Sequence, residues 1–109
     1  MAQQITFTYK GKDYVLEFTR RTIAEMERQG FEVEALTNKP ITMIPALFQG
    51  SFLAHHRYAK KDVIDDIFSH MKNKEELFQK LISMYQEPFV SMLEEPEESE
   101  GNVDWTGNS

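Results

Sequence analysis

The sequence predicts an α+β fold: an N-terminal β-hairpin, about four α-helices, and a disordered acidic C-terminal tail. Three observations carry this expectation. Apolar and polar residues alternate over positions 4–18, apolar residues then recur at helical spacing up to about 87, and acids replace them beyond 92. The chain therefore divides into one body, residues 1–92, and a flexible tail, residues 93–109.

The hairpin covers residues 4–18. Ile5, Phe7 and Tyr9 alternate with Gln4, Thr6 and Thr8, while Tyr14, Leu16 and Phe18 alternate with Val15 and Glu17. A two-residue loop at Gly11-Lys12, with glycine first as in a type II′ turn, sets Tyr9 opposite Tyr14, Phe7 opposite Leu16 and Ile5 opposite Phe18. Lys10 then faces Asp13, an opposite-charge pair that closes the turn.

Thr19 caps a first helix over about 20–29, with Ile23 and Met26 facing inward and Gly30 as the left-handed stop. Glu32 to Lys39 reads as a connector with room for a short extended piece. Thr42 caps a second helix, about 42–57, with Pro45 in its tolerant first turn. From Met43 to Ala54 this helix is apolar on nearly every side, which places it in the middle of the core or in an interface. Val63, Ile64, Ile67, Phe68 and Met71 form one stripe on a third helix, about 61–71. Asn73 caps the fourth, about 74–87, with Glu76 completing a capping box; Leu77, Phe78, Leu81, Ile82 and Tyr85 line its inner face. Pro88 ends or kinks it, and Phe89 to Leu93 add at most one more turn. Two strands alone are marginal, so helices or another subunit must cover the apolar face of the sheet.

Charge separates the two parts of the chain. The tail holds Glu94, Glu95, Glu97, Glu98, Glu100 and Asp104 without one base, and it contains Trp105, the sole tryptophan. The formal charge of −6 thus lies entirely in the tail, and the body is balanced. So acidic a segment buries too little apolar surface to offset its ordering entropy. Its indole suggests a tethered peptide that docks elsewhere, or one that folds back on the body.

Composition excludes several function classes. Without cysteine there is no disulfide, thiolate metal site or cysteine nucleophile. No secretory signal is expected from the opening MAQQITFTY. The uncharged run from Pro40 to His56 falls short of the ~20 apolar residues of a bilayer span. An acidic balance leaves no surplus of lysine and arginine for phosphates, so neither membrane nor nucleic acid is an expected partner.

Two clusters invite a chemical reading. Adjacent side chains on a helix point about 100° apart, so His55 and His56 are poorly placed to share an ion; with Arg57 they suit the negative end of a helix. Asp62, Asp65 and Asp66 lack the Asp-x-Asp-x-Asp-Gly loop of a calcium site and match a solvated first turn beside Lys60 and Lys61. Phosphate-binding glycine loops, H-E-x-x-H and G-x-S-x-G are all missing. The expectation is a protein with no catalytic residue, no metal and no cofactor.

The segments YVLEFTRRTIAEMERQGF, PITMIPALFQGSFLAHHRYAKKDVIDDIF, NKEELFQKLISMYQEP and EEPEESEGNVDW together resemble the tail assembly chaperone-like proteins of phages and prophages of Gram-positive bacteria. The likeness runs from about Tyr14 to Trp105 and is one of overall wording, with no catalytic motif. It implies a non-enzymatic protein of the bacterial host cytoplasm that binds the tape measure protein, the tail tube protein, or both. Self-association stays open beside these partners. A client holder needs an adaptable apolar surface, which methionine suits; Met26, Met43 and Met71 read as core. The partner-binding candidates are Phe48, Phe52, Met84, Phe89, Met92, Val103 and Trp105. The alternative is a small regulatory or adaptor protein that docks the peptide around Val103-Asp104-Trp105 on a basic groove.

Overall fold

The computed structural model describes residues 3–94 and 103–107. Among them β1 (Ile5–Tyr9) and β2 (Lys12–Leu16) form an antiparallel hairpin. Five helices follow: α1 (Arg20–Arg28), α2 (Ala35–Asn38), α3 (Pro40–Gly50), α4 (Lys61–His70) and α5 (Lys74–Met92). The α+β class, the leading hairpin and the helical remainder are as expected. The exception is α2, which occupies the segment read as a connector. Of the acidic tail, residues 95–102, 108 and 109 lie outside the described residues, and 103–107 carry no regular secondary structure.

The hairpin register differs from the expected one by two residues. Ile5 pairs with Leu16, Phe7 with Tyr14 and Tyr9 with Lys12, so the loop is Lys10-Gly11 rather than Gly11-Lys12. Both loop residues have positive φ, 50° and 79°, which fits the strand twist as a type I′ turn does. A shift of two keeps every side chain on its own face of the pleat. Tyr14 and Leu16 therefore stay buried as expected. The expected Lys10–Asp13 pair is absent: Thr8 Oγ1 donates to Asp13 at 2.6 Å, and Lys10 Nζ lies 3.5 Å from Asp66.

A two-stranded sheet leaves one side of each strand open. On β2 that side is closed by the turn that follows α3. The Glu17 N–H donates to the Ser51 carbonyl at 3.0 Å, and the Val15 N–H donates to His56 Nε2 at 2.9 Å. Ser51 is fully buried, and its hydroxyl turns back onto the Phe48 carbonyl. A serine bonded to its own backbone competes with helix propagation. With the Ser51 carbonyl also taken by the Glu17 N–H, α3 stops at Gly50 instead of running to 57, and three-residue turns follow, Phe52 N–H to the Gln49 carbonyl and Leu53 N–H to that of Gly50. At its other end α3 starts on Pro40, a favoured first-turn residue, so Thr42 lies inside the helix and does not cap it.

Thr19 caps α1 as expected, its hydroxyl accepting from the Thr22 N–H at 3.1 Å while the Thr22 hydroxyl accepts from the Thr19 N–H. At the other end Gly30 has φ 99°. The Gly30 N–H reaches the Glu27 carbonyl and the Phe31 N–H the Met26 carbonyl, the paired bonds of a Schellman motif. That motif turns Phe31 back into the core, where its ring meets Tyr85 edge-on at 5.4 Å.

The core lies around α3, which packs on α1, α2, α4 and α5. Leu16, Leu47, Phe48, Phe52, Ile67, Leu81 and Met84 are all but inaccessible there. Gly50 abuts the Met26 side chain of α1, with which a Cβ at this position would collide. Asn73 sits in a left-handed conformation, φ 54°, and its side chain caps nothing, so the expected capping box is not formed. Pro88 does not end α5. The helix continues to Met92, about 28 Å in all, with Pro88 withholding the N–H that would bond the Met84 carbonyl.

Candidate partner-binding site

The seven sequence candidates separate into two sets. Phe48, Phe52 and Met84 are each 1% exposed, so the structure removes them from the candidate surface. Phe48 lies on α3, whose nearly all-round apolar sequence suits the core; Phe52 follows in the turn after it, and Met84 is on the buried face of α5 with Leu77, Leu81 and Tyr85. Phe89 and Met92 are 60% and 51% exposed, Val103 and Trp105 86% and 85%. These four remain accessible.

Phe89 and Met92 stand at the exit of α5, where Val90 and Leu93 are exposed too. Beside them a groove of about 550 Å³ runs between α1 and α5, with Ile23, Val33, Tyr85, Phe89 and Met92 as its apolar surface. Spacings of four and three along α5 place Tyr85, Phe89 and Met92 on one face. Arg20 borders the groove, as do Glu27 and Glu34. Burial, followed by the charges of Glu27 and Glu34, pushes the Tyr85 phenol up to about 12, so it stays protonated under all ordinary conditions. The groove wall contributed by α1 and by Val33 was not expected. The only signal for it was that Ile23 and Glu27 share a helical face.

The histidine pair and Arg57 do not lie on a helix end. They form a clamp between the turn after α3 and the elements before it. His55 Nε2 lies 2.6 Å from a Glu17 oxygen, and Arg57 meets both oxygens of Glu25 on α1, at 3.0 and 2.6 Å. These partners hold the carboxyls of Glu17 and Glu25 below the usual range. The Tyr9 hydroxyl donates to Asp66, which latches the end of β1 to α4. That bond raises the phenol and, with Lys10 nearby, lowers the carboxyl. Asp65 pairs with Lys61 at 3.1 Å, one turn away. Among the described residues no group of three or more His, Asp or Glu is placed to hold a metal ion. No helix among them is long and apolar enough to cross a membrane.

His56 yields a prediction for the clamp. Its Nε2 accepts the Val15 N–H, so the ring must be neutral there, and burial, then the charges of Lys12 and His55, hold its pKa below the ordinary 6.5. A histidine whose folded pKa is depressed contributes stability above its unfolded pKa and loses it as pH falls through the folded value. The urea midpoint is therefore expected to fall between pH 7 and pH 5. His56→Ala should cost about 1–3 kcal/mol at pH 7, because the Val15 N–H is left unpaired. It should also flatten the pH slope over that interval. Below the ordinary carboxyl value of 4.5, the depressed Glu17 and Glu25 add a second loss of the same sign.

A family model described as "Domain of unknown function (DUF5055)" matches residues 1–109. No curated protein and no solved structure matches the chain.

Proposed function

This chain belongs to the DUF5055 family over its whole length, and we propose that it is a non-enzymatic, phage tail assembly chaperone-like protein. It holds the tape measure protein, the tail tube protein, or both, during tail morphogenesis in the cytoplasm of a bacterial host. The reading starts from the resemblance of residues 14–105 to such proteins and is supported by one observation above others. The exit of α5 leaves Phe89, Val90, Met92 and Leu93 exposed together, next to an apolar groove and immediately before an acidic segment. Contiguous exposed apolar surface on a small domain is characteristic of a docking site. The adjoining negative charge opposes clustering of loaded complexes.

Co-expression with a tape measure or tail tube protein tests this. The client should become more soluble and should co-purify with the chain. Phe89→Glu with Met92→Glu should remove both effects, since loss of a buried anchor costs about 2 kcal/mol or more, roughly 30-fold in affinity. Unchanged client solubility, with no co-purification, defeats the proposal.

The exposure of Trp105 favours one second reading, an adaptor whose acidic peptide around Val103-Asp104-Trp105 docks on a basic groove. Deleting residues 94–109 distinguishes the two. An adaptor loses all binding, whereas the chaperone is only weakened, mostly at low salt.

A further inference from the structure

The groove between α1 and α5 has a charge pattern as well as an apolar floor. Arg20 and Glu27 are seven residues apart, two turns on one face of α1, and both border the groove. Glu34 joins Glu27 on that border, and both acids lie close enough to Tyr85 to act on its phenol. Arg20, by contrast, also lines a smaller depression with Glu17, Met84, Glu87 and Ser91, which places it toward the Met92 end. Neither Glu27 nor Glu34 makes a side-chain ion pair with another described residue, although Glu17, Glu25, Asp65 and Asp66 all do. Two exposed, uncommitted carboxylates thus flank the Tyr85 end of an apolar trough, with one guanidinium at the far end.

We infer that this groove binds one amphipathic helix of a partner, with apolar residues at i, i+3 or i+4, and i+7, and with lysine or arginine beside that stripe facing Glu27 and Glu34. The inference rests on the client-holding reading and states what part of a client the groove takes. Ile23 on α1, Val33 in the segment before α2, and Tyr85, Phe89 and Met92 on α5 form one apolar strip, the arrangement that accepts the apolar face of a helix. The rim sets polarity, because charge complementarity favours a basic occupant at the Glu27 and Glu34 end and penalises an acidic one. That penalty argues against the chain's own segment 93–109, whose six acids would approach those two carboxylates, and Trp105 stands exposed.

The test uses the full chain and two labelled 14-residue peptides with leucine on one helical face. One carries lysine on the other face and its twin carries glutamate; a third peptide scrambles the lysine sequence so that no face is apolar. Fluorescence anisotropy should show the amphipathic lysine peptide binding at least tenfold more tightly than the other two. Glu27→Lys with Glu34→Lys should weaken it at least tenfold and favour the glutamate twin; both residues are exposed, and circular dichroism verifies that the fold is intact. Phe89→Glu should abolish binding of either twin. Equal binding of the scrambled peptide overturns the inference, because the tail's charge then suffices. So does binding left within twofold by the double reversal. A wild-type chain that sediments as a dimer, broken by the double reversal, would assign the groove to a second copy instead. If the reversed chain still keeps tail proteins soluble, the groove assignment fails and the client-holding function stands. If the wild-type chain binds the lysine peptide and no tail protein, the groove stands and the tail-assembly reading fails.

Discussion

Phe52→Ala is expected to lower stability by about 3–5 kcal/mol, a large share of the roughly 5–15 kcal/mol typical of a domain, so its urea midpoint should fall well below that of wild type. Phe52 is buried in the turn after α3, and its ring meets those of Tyr14, Phe48 and His56 at 5.9, 5.2 and 6.4 Å. Those neighbours come from β2, α3 and the clamp, so the cavity opens where the sheet joins the helices. Little of it can collapse without moving the hairpin. Urea denaturation followed by circular dichroism measures the loss. Phe89→Ala is the counterpart: an exposed site, with a midpoint expected within about 0.5 kcal/mol of wild type, yet with client binding reduced. If Phe52→Ala proved as stable as wild type, the placement of this phenylalanine in the core would be wrong.

Gly50→Val is expected to be the next most damaging change, at about 2–3 kcal/mol. Helix propensity alone favours replacing a helical glycine, by up to about 1 kcal/mol for alanine. Here the steric term wins. A Cβ at Gly50 runs into Met26, which is itself buried between α1 and α3, and a branched side chain cannot be admitted by a small swing of the thioether. Gly50→Ala is the milder case, in which the two terms partly cancel. Met26→Ala destabilises by itself, but the double substitution with Gly50→Val should cost clearly less than the sum of the two. Additive losses would mean that Gly50 and Met26 do not limit the approach of the helices.

Local signals were legible wherever local chemistry decided the outcome. The period-two pattern identified the buried face of the hairpin, and Thr19 and Gly30 marked both ends of α1. They failed where distant residues intervene. Glycine-first turn chemistry puts the hairpin loop one residue late, whereas Lys10 takes a left-handed conformation at the first loop position and reaches Asp66 on α4. The end of α3 is fixed by β2, through Ser51, and no pattern within residues 42–57 reports that. His55, His56 and Arg57 are adjacent in sequence but serve Glu17, Val15 and Glu25 separately. For the candidate site, composition singled out large apolar residues without separating core from surface. Phe48, Phe52 and Met84 belong to the core for that reason, while Phe89 and Met92 stay accessible on the α5 wall of the groove.

The ties on the hairpin have a consequence for synthesis. Val15 is bonded to a residue 41 positions later, Tyr9 to one 57 later, and Gln3 accepts from Lys80 and Ser83, 77 and 80 later. An isolated pair of strands is marginal in water. The hairpin, synthesised ahead of the helices that hold it, is therefore among the last segments to be secured, and nascent chains arrested before residue 80 should expose both strands to protease.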